Sequence, residues 1–161
     1  MKGFIATFLL SFLIHFNGLA QQKLSNKDLI GWWKSSLEKS NEFNTSTKAH
    51  VSEFDFMFGQ RFYHYRADGL LEIYLEEIDG SLNLIKALSY DIALQSMKQM
   101  VISLHYQNVD YDIFQTKYFV SKDIFWIGLC SDYTDNHARE YFERIEQPAK
   151  YRRDLVPVAK Q

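Results

Sequence analysis

The sequence predicts an all-β domain, a single up-and-down antiparallel barrel of about eight strands entered through one short helical turn. Three observations predict it. The only prolines are Pro148 and Pro157, so residues 21–147 can all donate their N–H groups to strand ladders. "RADGLLEIY" and "EEIDGSLNL" each set Asp-Gly between apolar runs, the strongest short-range hairpin signal. Apolar and polar residues also alternate through several short consecutive runs, the period of a half-buried strand.

The first residues, "MKGFIATFLLSFLIHFNGLAQQ", read as an export signal. Lys2 supplies the charge, Phe4 to Phe16 the apolar run, and Ala20 the small residue at a cleavage point. The run is short of the ~20 residues that span a bilayer, and no cysteine marks a lipid-anchoring site. The expected organisation is a signal peptide over 1–20, one barrel domain over 21–147 and a C-terminal tail over 148–161. The exported product would be periplasmic or extracellular, with no stable membrane insertion after cleavage. Without Lys2, 17 basic residues face 20 acidic ones, a net charge of −3. That balance predicts neither a nucleic-acid partner nor a polybasic membrane patch. Aromatic residues make up 16% of the chain, many of them the strand-favouring Phe and Tyr.

The elements follow in order. "LSNKDLIG" supplies a helical turn with Ser25 or Asn26 as N-cap, and alternation begins at Gly31. Residues 32–39 are expected as the first strand, with Trp33 inward and Trp32 outward. Trp32 either covers the barrel end or marks a contact surface. "SLEKSNEFNTSTKAH" is then a long polar connection. Residues 50–66 form one strand kinked at Gly59, or else a hairpin. Residues 70–78 carry Leu71, Ile73 and Leu75 on one face. Residues 82–93 carry Leu82, Leu84, Leu88, Tyr90 and Ile92 in phase. "MVISLHY" puts Met100, Ile102, Leu104 and Tyr106 on one face. "YDIFQTKYFV" and "DIFWIGLC" divide near Ser121, and "REYFERIE" closes the set after the polar loop "SDYTDNHA".

With the motifs in this order, the chain resembles a bacterial lipocalin-like domain of the calycin superfamily. "GWWK" is similar to the Gly-x-Trp signature of the first lipocalin strand, with Gly31 and Trp33 in the matching places. "YRADG" resembles the aromatic-x-x-Asp-Gly that closes the second strand. "LSYDIALQSMKQMVISL" resembles the central pattern, and "YFERIE" the closing strand. The resemblance covers most of residues 24–147 and implies that Arg144 packs over Trp33 to close one end of the barrel. It departs from many secreted lipocalins in having no possible internal disulfide and no long helix after the barrel.

No residue pattern points to catalysis, a metal or a cofactor. His50, His64, His105 and His137 form no metal-spaced pair, and His64 in "FYHYR" is expected as a surface or hydrogen-bonded side chain rather than a haem or metal ligand in the cavity. Cys130, the only cysteine, has apolar sequence neighbours and is expected as a small buried hydrophobe rather than a reactive thiol or an intermolecular bridge. Glu76 and Glu77 point to opposite faces of a strand and make no carboxylate pair. "SDYTDNH" lacks the spacing of a calcium loop. Asn44 in "NTS" is a glycosylation sequon.

The expected function is binding of a small hydrophobic molecule inside the barrel. Phe54, Phe56, Ile73, Leu75, Ile102, Leu104 and Ile127 would line the site, and Phe43 would cap it from the first connection. Two alternatives remain open: a ligand-free barrel acting as a cell-envelope interaction or structural module, and an enzyme on a cone-shaped α+β fold with residues 24–40 helical.

Overall fold

The computed structural model describes residues 23–47, 60–106, 111–129 and 138–152. The expected signal peptide, Phe54, Phe56, Cys130, the loop up to His137 and the alternatives for residues 50–59 lie outside them. Helix α1 (Asn26–Leu29) follows Ser25, whose backbone N and Oγ both donate to Asp28 Oδ2, at 2.6 and 2.8 Å. Strand β1 (Gly31–Ser36) leads into helix α2 (Leu37–Thr47). Seven strands follow: β2 (Arg61–Tyr65), β3 (Leu70–Glu76), β4 (Leu82–Gln95), β5 (Gln99–His105), β6 (Ile113–Ser121), β7 (Ile124–Leu129) and β8 (Ala138–Ile145). Each pairs antiparallel with its chain neighbour and β1 pairs with β8, so the eight close into an up-and-down barrel. Among the described residues, closure leaves no long strand edge unpaired. This architecture rules out the cone-shaped α+β alternative: a strand separates the two short helices where that fold needs one continuous helix.

The first strand is shorter than expected. It stops at Ser36, and the connection beyond it is helical. Helix α2 takes over the edge of β8 that β1 has left. Asn44 Nδ2 donates to the Arg139 carbonyl at 3.1 Å and Asn44 Oδ1 accepts from the Arg139 N–H at 2.9 Å. Ser40 Oγ, four residues earlier on the same helix face, accepts from the Tyr141 N–H at 3.0 Å. Two polar side chains thus complete a strand ladder, so the buried face of α2 is polar. Asn44 is 5% exposed and committed on both sides of its amide, which removes it as a free glycosylation acceptor.

Strand β4 also differs from expectation. Ile73 pairs with Lys86 and Tyr74 with Leu84, which leaves Ile85 as an extra residue, a bulge. The phase therefore flips. Leu88, Tyr90 and Ile92 face inward, whereas Leu82 and Leu84 face outward. The two outward leucines join Trp32, Phe62 and Tyr74 in a second buried cluster on the outer wall. Residues 151–152, expected in the tail, form a short ninth strand β9 (Tyr151–Arg152) parallel to the start of β4. The Tyr151 ring meets Trp32 edge-on at 5.1 Å. Trp32 points outward as expected and is covered by this returning segment, leaving it 5% exposed.

Candidate functional site in the barrel interior

The two barrel ends are built differently. At one end β1 begins, β8 finishes and α1 lies across the opening, held by the Leu24 N–H on the Ser96 carbonyl and by Gln95 Nε2 on Asn26 Oδ1. The Arg144 guanidinium lies over the Trp33 ring, its Cζ 4.4 Å from the ring centroid. Its Nη1 donates to the Ile30 carbonyl at 2.8 Å, its Nη2 to the Asp28 carbonyl and its Nε to the Lys122 carbonyl. Trp33 is fully buried, and its indole N–H donates to the Leu29 carbonyl at 2.8 Å. Gly31 makes this close approach possible. Its φ is +127°, and an added Cβ would lie 3.0 Å from Arg144 Nη1. Burial pushes the Asp28 carboxyl up, but the Ser25 bonds and the Lys122 and Arg144 charges hold it below its ordinary pKa.

Above this seal stands a tier of rings. Trp33 packs against Phe125 at 4.6 Å, Phe125 stacks on Phe142 at 5.1 Å, and Tyr63 meets Phe142 at 4.7 Å. The next tier toward the other end is polar. Arg61 on β2 donates through Nε and Nη2 to both carboxylate oxygens of Glu140 on β8, at 3.1 and 2.7 Å. Glu140 is 2% exposed. Lys117 on β6 is fully buried, and its Nζ donates to Gln115 Oε1 two residues away. The same Nζ lies 5.2 Å from the Phe125 ring centroid and 5.6 Å from those of Tyr63 and Tyr65. The Tyr65 hydroxyl, also fully buried, has no hydrogen-bond partner among the described residues.

The electrostatics of this tier follow from burial. Removing Lys117 from water disfavours its ammonium form and brings its pKa down to about 7, against the opposing pull of Glu140. Burial drives the Tyr63 and Tyr65 hydroxyls up, and the Glu140 charge adds to both. At neutral pH the described residues of this tier therefore include the neutral Tyr63 and Tyr65 phenols, the Arg61–Glu140 salt bridge and an amine whose hold on its proton is weakened by burial. Farther from the seal Lys86 lies over Tyr106, its Nζ 4.2 Å from the ring centroid.

The residues expected to line the site divide into groups. Ile102, Leu104 and Ile127 are buried in the inner core, with Ile73 half-buried against it. Leu75 is half-buried and pairs with Arg61 on the inward phase. Phe43 is on α2 outside the barrel, where the Arg139 guanidinium is sandwiched 4.0 Å from its ring and 3.9 Å from that of Trp126. It packs on the outer wall, away from the interior. His64 is also outside, stacked on Trp32 at 4.3 Å with Nδ1 2.9 Å from Glu72 Oε2.

Apolar alternation along the strands does not find Arg61, Lys117 and Glu140 as site residues. A signal for them is nonetheless present. Ile113, Gln115, Lys117 and Phe119 share one phase, so a core-facing Phe119 brings Lys117 inside. Among the described residues no group of three or more His, Cys, Asp or Glu side chains could hold a metal ion. No family model, no curated protein and no solved structure matches this chain.

Proposed function

We propose that this chain is an exported, lipocalin-like binding module that holds one small, mostly apolar molecule inside its barrel. The observation that carries this reading is the polar tier above an aromatic floor in a barrel sealed at one end. A barrel built only for stability gains nothing from a buried lysine without an ion pair, because desolvating an unpaired charge is costly. An apolar body against Ile102, Leu104 and Ile127 would supply affinity at ~25 cal/mol per Å² buried. A single polar group at the Lys117–Tyr65 level would supply orientation.

Thermal unfolding with medium-chain alcohols, fatty acids and retinoids tests this. A bound member at 100 times its Kd adds ~2.7 kcal/mol of stability, several degrees of Tm for a domain of this size. Failure of every apolar compound to move Tm would remove the reading. The second reading, an interaction module, draws on the outer wall. There Leu94, Phe114 and Val120 on β4 and β6 are each at least 60% exposed, and such apolar exposure can mark a protein contact. It predicts no response to small molecules and loss of self-association or capture when Phe114 becomes Ser.

A further inference from the structure

We propose that Lys117 forms an imine with an apolar aldehyde held in the barrel. This rests on the binding reading above and names the chemical class of the ligand. The geometry sets Lys117 apart from the other described lysines. Its amine is fully buried, has one side-chain acceptor in Gln115, and is ringed by Tyr63, Tyr65 and Phe125. It makes no ion pair within 4.0 Å among the described residues, and the nearby Glu140 carboxylate is held by Arg61 through both oxygens. Lys86, by contrast, is exposed.

Three features select an aldehyde. An uncharged ligand can enter an apolar interior without the desolvation cost a carboxylate would carry. A carbonyl oxygen accepts a hydrogen bond and donates none, which suits the Tyr65 hydroxyl, a buried donor on the inner face of β2 without a partner among the described residues. A desolvated lysine amine keeps its lone pair free for addition near neutral pH. In the step, the Nζ lone pair forms a bond to the carbonyl carbon and the C=O π pair moves to oxygen, which takes a proton. The carbinolamine then expels that oxygen as water as nitrogen loses its second proton. The balance is R–CHO plus Lys–NH₂ giving R–CH=N–Lys plus H₂O, with no oxidant or reductant. Once formed, the imine can be protonated within reach of the Glu140 charge.

The test uses the full chain, decanal and cyanoborohydride at neutral pH, followed by peptide mass mapping. The expected result is one reduced decyl group on the peptide carrying Lys117, at least about tenfold above any exposed lysine, since an ordinary lysine is almost wholly protonated there. Lys117→Met should lose that adduct and keep only the background labelling. Mapping the wild-type chain locates the adduct even if this variant misfolds. Decanol, which cannot form an imine, separates the two ideas through its effect on Tm. A Tm rise with decanol but no Lys117 adduct overturns the imine and leaves binding standing. No Lys117 adduct and no Tm rise with decanol or with any of the other apolar compounds overturns both. Equal labelling across lysines also overturns the imine.

Discussion

The sealed end and the polar tier each place a cation against aromatic rings, and they do so with opposite consequences. Arg144 lies over Trp33, but its guanidinium donates to three backbone carbonyls and its side chain keeps 27% exposure. Its charge is fully served, so the pair works as a clamp. Lys117 sits among three rings, completely buried, with a single amide oxygen as acceptor among the described residues. Its charge is poorly served, so the amine gives up its proton more readily. Satisfied donors make the first site a structural closure. Unsatisfied ones make the second a place where stability is given up, which is where function is to be sought.

This contrast can be broken first at Lys117. Its pKa falls from 10.5 in the unfolded chain to about 7 in the fold. Below pH 7 both states are protonated and the whole cost of burying the charge is present. Between pH 7 and 10.5 the unfolded chain holds more protons, so stability rises with pH. Above 10.5 both amines are neutral and the cost is gone. Lys117→Met should therefore stabilise the protein by up to about 5 kcal/mol at acidic pH, since each tenfold loss of proton affinity on folding corresponds to ~1.4 kcal/mol. The gain should fade toward alkaline pH. Urea unfolding of both chains across this range checks it, and a gain independent of pH would show that Lys117 is not a buried base.

The seal should respond in the opposite sense. Trp33→Ala removes the ring under Arg144 from a fully buried site and should cost about 3–5 kcal/mol, with no dependence on the Lys117 titration. Equilibrium denaturation measures it, and a loss below about 1 kcal/mol would mean that the ring does not close the barrel. The smallest effect lies outside both sites. Asn44→Ala leaves the Arg139 N–H and carbonyl without their partners and should cost about 1–3 kcal/mol. Hydrogen exchange should localise the change to α2 and the start of β8, with the sealed end unaffected.

The strands are legible because each carries its apolar residues at period two and its turns at Asp-Gly. In those turns Gly69 and Gly80 adopt φ of +80° and +75°. The seal is legible from Gly31, Trp33 and Arg144 through the family resemblance, which implies that they meet. Helix α2 is not legible. Its buried residues are Ser40 and Asn44, which act through hydrogen bonds to β8, so apolar periodicity has nothing to find. Leu82 and Leu84 lie on the face opposite to the expected one because the bulge at Ile85 depends on pairing with β3, a tertiary event. The polar tier is written in the strand phases of Lys117 and Glu140, but charged residues are ordinarily assigned to the solvent face. Recognising them requires following phase regardless of polarity.

The most direct test is an NMR titration of the lysine side chains in the folded wild-type chain, with Lys117→Met used to assign the resonance. One lysine should titrate near pH 7 and be absent from the variant. A Lys117 midpoint near 10.5 would contradict it, because the amine would then be a solvated group and the polar tier an ordinary part of the surface.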